Sequence, residues 1–271
     1  MTLDPAVLSQ GQVCVPGILG GLGPLAHVAF EREIIARGHR RGARGDREHP
    51  VWLVASAAST PGRTSALLEG GESPVSHLTA FARLLEQSGA DALFVVCNTA
   101  HAYHAEVQRA LRIPWVHLMQ IVADAIAGAH PAGTRVGILA TDGTLAAGLY
   151  HRALEAQGLV PVAPLINSAI QARVRSAIGD PDTGIKATGA AVSGTARDHL
   201  VAAARWCVEQ GAQVIVPGCT EVSVGLRPEV FATPPLVDPL TVAADALLDI
   251  AYGRRRPSAF LAAAPAPERL P

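Results

Sequence analysis

Lysine is almost missing from this chain of 271 residues, since 21 of its 22 basic residues are arginine and Lys186 is the single exception. Aromatic residues are scarce at 4%, so a core has to be built from Ala, Val, Leu and Ile. An excess of either charge is missing too: the formal net charge is -1, which argues against a nucleic-acid binder relying on clustered positive charge. No uncharged apolar run approaches the roughly 18 residues of a membrane span. Residues 1–11 lack the basic-then-apolar pattern of a secretory leader. Four cysteines, Cys14, Cys97, Cys207 and Cys219, are too few for a disulfide scaffold in a chain of this length. No C-x-x-C pair is present and the ten histidines are scattered, so no metal site is expected. These absences leave a cytoplasmic protein with reduced thiols, no nucleic-acid partner and no membrane partner.

What the chain does have is apolar residues, 49% of the total, in short runs separated by longer segments of helical period. Strands are expected at Val15–Leu19, Val51–Ala55, Ala92–Val96, Ile113–His117, Val136–Leu139, Val160–Val162 and Val214–Val216. Helices are expected at about 26–37, 75–87, 102–111, 144–157 and 194–210. Glycine-bounded strands alternating with helices indicate an α/β fold built on mostly parallel sheets. The arginine-containing segment Gly38–Asp46 reads as a solvated loop, and residues 1–11 and 253–271 read as frayed tails.

An internal repeat sharpens this picture. Gly17-Ile-Leu-Gly-Gly-Leu-Gly-Pro-Leu-Ala26 aligns with Gly137-Ile-Leu-Ala-Thr-Asp-Gly-Thr-Leu-Ala146 at an offset of 120 residues. Gly89-Ala-Asp91 leads through a strand to Cys97-Asn-Thr99, and Gly211-Ala-Gln213 leads through a strand to Cys219-Thr-Glu221, the cysteines being 122 apart. Two matches in the same order at nearly the same offset indicate a duplicated α/β unit. We expect a first domain of residues 12–117 plus 237–252 and a second of 118–236. Each half then carries a cysteine where a buried strand turns into a helix, which is where open parallel sheets collect ligands. A helix N-terminus there would favour the thiolate. Two thiols facing one cleft can remove a proton from one face of a carbon and return one to the other. Cys14 and Cys207 read as small core residues.

Gly17–Ala26, Cys97-Asn-Thr-Ala-His101, Ala140-Thr-Asp-Gly-Thr144 and Gly218-Cys-Thr-Glu-Val222 together resemble the signature segments of the cofactor-independent aspartate/glutamate racemases. The resemblance spans roughly residues 15–250. It implies two pseudo-symmetric α/β domains with the active site in the cleft between them, a homodimer, and two cysteines, Cys97 and Cys219, that exchange thiolate-base and thiol-acid roles. No cofactor is implied, neither pyridoxal phosphate nor metal. Asp46-Arg-Glu-His-Pro50 and Pro61-Gly-Arg-Thr64 are similar to segments of the aspartate-racemase branch and assign a substrate carboxylate to Arg63. Gly184-Ile-Lys-Ala187 assigns a second contact to Lys186, and Asn98, Thr99, Thr141 and Thr220 are implied binders of the amino acid's polar groups. Arginine suits bidentate carboxylate recognition and lysine acts as a point charge.

Two departures bear on the substrate. The Asn-Asn-Pro-Gln stretch common in that branch reads Ser56-Ala57-Ala58-Ser59, and a threonine usual after the glycine-rich turn is replaced by His27. Ser56, His27, His101 and Glu221 are supporting candidates: His27 for ligand contact, His101 for a hydrogen bond near the site, for polarising Cys97 or as a structural group at a helix N-terminus, and Glu221 as a first-turn carboxylate or for orienting a polar group near Cys219. The activity expected is racemisation of aspartate, glutamate or a related acidic compound. Isomerisation or decarboxylation of a small dicarboxylate at the same cysteines is the alternative, followed by non-catalytic binding of an acidic metabolite.

Overall fold

The computed structural model describes residues 3–260 apart from Ala190. It contains two parallel three-stranded sheets of the same strand order. The first has β1 (Pro16–Gly20) between β2 (Leu53–Ser56) and β3 (Ala92–Val95); the second has β4 (Arg135–Ala140) between β5 (Val160–Val162) and β6 (Val214–Gly218). Helices α1 (Pro24–Arg40), α2 (Arg63–Leu68), α3 (Val75–Gln87), α4 (His104–Gln108) and α5 (Leu118–Ala129) accompany the first sheet in sequence. Then come α6 (Asp142–Ala146), α7 (Leu149–Ala156), α8 (Ala169–Gly179), α9 (Ile185–Thr188), α10 (Gly194–Glu209), α11 (Thr220–Gly225) and α12 (Pro239–Ala251).

β1, β3, β4 and β6 read as nearly continuous apolar runs because they are buried on both faces, while the edge strands β2 and β5 are partly exposed. Period-two alternation still sorts the side chains. Ile18 and Phe94, with Ile138 and Val216, enter one core shared by the two sheets and α1, α5, α7 and α12. Their neighbours Leu19 and Leu93 enter a separate outer cluster with α3, while Leu139 and Ile215 enter the equivalent cluster with α10. The repeat is therefore carried into packing: residues 120 or 122 apart face the same way.

A glycine at the same place in each half makes this close packing possible. A Cβ on Gly17 would lie 2.8 Å from Ala90 Cβ and 3.3 Å from Leu85 Cβ; one on Gly137 would lie 3.2 Å from Ala212 Cβ and 2.9 Å from Cys207 Cβ. Cys207 is thus the second-half counterpart of Leu85, and it is a core residue whose thiol is pushed up to about 12 by burial. Cys14 is buried likewise, and burial with the nearby Asp91 charge pushes its thiol up to about 12.

Several sequence expectations are corrected. The helix expected over 144–157 is two helices, α6 and α7, because Gly148 adopts a left-handed conformation at φ 58° between them. The helix expected over 102–111 is a 3-10 turn at Thr99–Tyr103 followed by the short α4. Ile113–His117 is reduced to a single bridge between Leu93 and Trp115, mirrored in the second half by Ile215 and Leu236. The basic segment after α1 is not merely solvated: Arg41 reaches Asp249 at 2.6 Å and Asp245 at 2.9 Å, tying the end of α1 to α12. The tails are also held where they are described. Ser9 Oγ donates to the His49 carbonyl, and the His117 N–H donates to the carbonyl of buried Phe260 at 2.7 Å. Residues 1, 2 and 261–271 of the tails lie outside the described residues.

Candidate active site

Cys97 follows β3 and Cys219 follows β6, so the two thiols occupy equivalent carboxyl ends of equivalent strands. Both are nearly covered, at 8% and 6% exposed. The segments beside them interlock across the halves. Tyr150 on α7 donates its hydroxyl to Asn98 Oδ1 at 2.6 Å. Thr99 Oγ1 lies 2.8 Å from Thr141 Oγ1 and 2.9 Å from Thr144 Oγ1, and the latter two are 3.0 Å apart. These three hydroxyls close a ring in which each can donate once and accept once. Gly143 packs so closely on Thr64 and Thr99 that a Cβ there would lie 2.9 Å from Thr64 Oγ1. From the opposite side, a Cβ on Gly23 would lie 3.0 Å from Glu221 Oε1. The carboxyl ends of the two sheets therefore meet.

The surroundings of the two thiols differ. Behind Cys97, His101 donates Nδ1–H to the Cys97 carbonyl at 2.9 Å and accepts at Nε2 from the Trp115 indole and the Leu118 N–H, both at 3.2 Å. Two donors on Nε2 place the proton on Nδ1. His101 is fully enclosed with His104 and His117, the ring centroids of His101 and His117 being 5.1 Å apart. Burial, with the neighbouring imidazole disfavouring charge, pulls His101 down to about 3. With both ring nitrogens engaged, it fixes the Cys97 backbone and is not available as a proton carrier.

Cys219 faces charge instead. Its thiol donates to Glu221 Oε2 at 2.9 Å, and the Thr220 hydroxyl donates to the same oxygen at 3.1 Å. Burial and the Glu221 carboxylate push the Cys219 thiol well above its ordinary value, against an opposing pull from the Lys186 ammonium. The helix-end stabilisation expected for this thiolate is thus overruled: α11 spans only six residues, and a buried carboxylate at hydrogen-bond distance disfavours a second negative charge.

The remaining candidates take definite places. Arg63 spends part of its guanidinium on backbone carbonyls, with Nη2 donating to Leu22 O at 2.6 Å and Nη1 to Thr60 O at 3.2 Å and Pro61 O at 3.1 Å. It clamps the glycine-rich turn to its own loop and keeps Nε–H and one Nη2 hydrogen for other use. His27 accepts the Gly21 N–H at Nδ1, 3.1 Å away, and its ring lies where a Gly20 Cβ would be, so it braces the turn from within. Ser56 is exposed beside Gly21; a Cβ at Gly21 would lie 2.5 Å from Ala57 N and 2.8 Å from Ser56 Oγ, and φ 79° independently favours glycine. Lys186 stands exposed on α9 and has no ion-pair partner among the described residues. Sequence reasoning missed Tyr150 and Thr64 as lining groups. Thr144 was in plain view in the repeat segment, as the residue three beyond the capping Thr141, whose hydroxyl accepts the Thr144 N–H at 3.2 Å.

Residues 19–247 match the family model described as Asp/Glu/Hydantoin racemase. The chain belongs to that family. A curated relative, the broad specificity amino-acid racemase RacX of Bacillus subtilis, is 30% identical over 143 residues, covering 52% of this chain and 61% of the relative. The match thus spans less than two thirds of that relative's length. Among solved structures, the aspartate racemase of Picrophilus torridus superposes with a TM-score of 0.73 at 22% identity, covering 88% of this chain and 94% of that one. An aspartate racemase homologue from Pyrococcus horikoshii OT3 superposes with a TM-score of 0.68 at 21% identity, covering 88% and 99%. In this Asp/Glu/hydantoin racemase-family chain, two parallel three-stranded sheets flanked by helices are therefore the expected frame. Among the described residues, no three or more His, Cys, Asp or Glu side chains are grouped to hold a metal, and no helix is long and apolar enough to cross a membrane.

Proposed function

We propose that this chain racemises an acidic amino acid, aspartate or glutamate, by proton transfer at Cα between two thiols. The observation that carries the proposal is the pair of cysteines at matched strand ends, beside segments that interlock across the two halves. In one direction the Cys97 thiolate takes the Cα proton, forming S–H while the C–H electron pair passes to carbon. Cys219 then gives its S–H proton to the opposite face and becomes the thiolate; the reverse direction exchanges the roles. Positioned proton transfer of this kind contributes about a hundredfold to ten-thousandfold in rate.

The substrate's carboxylates are assigned to the spare donors of Arg63 and to Lys186, whose charge already acts on Cys219. Asn98, Thr99, Thr141 and Thr220 are assigned to its polar groups, with the hydroxyl ring of Thr99, Thr141 and Thr144 opening to donate outward. The substrate-bearing form is proposed to be a homodimer in the cytoplasm, and domains of 12–117 plus 237–252 and of 118–236 would form the two walls. Racemisation is tested by supplying each enantiomer of aspartate and of glutamate without added cofactor and following optical rotation. Wild type is expected to drive either enantiomer to the racemate, and Cys97→Ser and Cys219→Ser each to lose at least about a hundredfold of that rate. Serine variants racemising at the wild-type rate would remove the two-thiol mechanism.

A further inference from the structure

One buried side chain touches a neighbour of each thiol. We propose that Tyr150 is a positioning residue that holds the Asn98 amide by its oxygen and so turns its nitrogen toward the substrate. This deepens the racemase reading and rests on it for the word substrate.

Tyr150 stands on α7 at 1% exposure. Its hydroxyl donates to Asn98 Oδ1 at 2.6 Å, and Asn98 directly follows Cys97. Its ring fills the place of a side chain at Gly218, where a Cβ would lie 2.9 Å from Tyr150 Cε2, and Gly218 directly precedes Cys219. The direction of the hydrogen bond is set by the surroundings. Burial, followed by Asp238 and Cys219, pushes the phenol well above its ordinary value, so the hydroxyl keeps its proton. That proton has no other acceptor among the described residues, and a hydroxyl accepting from the amide would leave it unpaired in the core. Oδ1 is therefore the tied end of Asn98. Nδ2 makes no hydrogen bond among the described residues, yet it is not one of the fully buried polar atoms left without a partner, so it keeps some exposure. An amide held by its oxygen presents two N–H donors, which suit a carboxylate.

The first half lacks this device. Phe30, 120 residues before Tyr150, is equally buried but carries no hydroxyl, and Val96, 122 residues before Gly218, keeps a side chain. Phe30 and Val96 line an apolar cavity of about 10 Å³. Thr220, 122 residues beyond Asn98, gives its hydroxyl proton to Glu221 instead. Packing at this place is met by phenylalanine, so the phenolic oxygen of Tyr150 answers to Asn98 and not to the core.

The chain has two asparagines, Asn98 and the exposed Asn167, so heavy-nitrogen labelling of asparagine side chains gives two NH2 signals in a magnetic resonance spectrum, the second an internal control. Wild type is expected to show an ordered Asn98 amide and a mobile Asn167 amide. Tyr150→Phe keeps the ring against Gly218 and removes the hydroxyl. The Asn98 order parameter is then expected to fall from about 0.85 toward the flexible range below about 0.6, with Asn167 unchanged. KM for the racemised amino acid is expected to rise about three- to tenfold, the scale of one hydrogen bond, with a smaller effect on kcat. Beside Asn98→Ala, Tyr150→Phe should add nothing to KM, whereas a purely structural role would add its loss in either background. An Asn98 amide just as ordered without the hydroxyl overturns the proposal. So does a KM that Tyr150→Phe leaves unchanged, or raises as much beside Asn98→Ala as in wild type. Should Tyr150→Phe not fold, wild type decides: an Asn98 amide as mobile as that of Asn167 overturns the proposal and an ordered one supports it. The order parameters need no substrate, so the two readings separate. An Asn98 amide loosened by Tyr150→Phe in a protein that racemises nothing keeps the Tyr150–Asn98 pair and removes the racemase reading. Racemisation with an unmoved amide does the reverse.

Discussion

The carboxyl end of β3 and that of β6 have one architecture and two electrostatic solutions. Behind Cys97 stand three neutral imidazoles and an indole, with His101 spending both nitrogens on backbone and Trp115. Beside Cys219 stand a carboxylate at 2.9 Å and the field of an ammonium. Duplication supplied matching strands, matching glycines and matching cysteines, because those follow from packing rules that both copies obey. Charge is not constrained by packing in that way, so the copies were free to diverge in the groups that stand beside the two thiols.

The largest effect that would break the comparison is expected from His101→Ala. It leaves the Trp115 indole N–H, the Leu118 N–H and the Cys97 carbonyl without partners inside the first half, at about 1–3 kcal/mol for each buried group left unpaired. Urea unfolding should show a loss of several times the 1.4 kcal/mol that corresponds to a tenfold change. A loss under about 1 kcal/mol would mean that the histidine cluster does not brace Cys97.

Acid comes next. Burial and neighbouring like charges pull His101 to about 3 and His117 to about 2, with the His117 shift aided by Arg152, and His104 moves in the same direction. The unfolded chain binds protons on these rings below about 6.5 while the folded protein does not. Their neutral burial is therefore fully compatible with folding above that pH, and stability falls as pH drops from about 6.5 toward the folded values. About 1–2 kcal/mol should be lost for each of His101 and His117 by pH 5. Hydrogen exchange at that pH should lose protection around α4 and α5 before α10; loss in the opposite order would contradict the contrast between the halves.

Smaller and symmetrical effects are expected from the matched glycines. Gly17→Ala and Gly137→Ala each place a Cβ within 3 Å of another Cβ, and overpacking of this kind costs about 1–3 kcal/mol. The two losses should agree closely, whereas a large difference would show that the copies have drifted in packing as well. Least of all is expected from Arg41→Ala at the partly exposed junction of α1 and α12, about 1 kcal/mol or less by thermal unfolding.

The legible part of the molecule was the part governed by local pattern. Apolar runs of three to five residues located the six strands, and the 120- and 122-residue offsets placed Cys97 and Cys219 at equivalent strand ends. α3 was expected and found at 75–87. Contacts between distant segments were not legible. The Tyr150 hydroxyl on Asn98 joins residues 52 apart, and no local pattern marks Tyr150 as anything but core. The His101 ring reads as a lone polar group in sequence, yet it is satisfied by Trp115 and Leu118 from two later segments. The break at Gly148 was hidden because Leu145-Ala-Ala-Gly-Leu149 keeps a helical composition, and only its left-handed backbone ends α6. The thiolate expected at Cys219 failed for a different reason. A helix-end argument weighs one favourable field, whereas burial beside Glu221 adds two larger unfavourable ones.

The central claim is that two thiols act on opposite faces of one carbon, and isotope placement in deuterium oxide tests it most directly. Starting from a single protiated enantiomer and sampling before equilibrium, the account predicts deuterium at Cα of the newly formed enantiomer, with the unreacted substrate still protiated. Product that keeps the original proton, or substrate and product deuterated alike from the first turnovers, would contradict it.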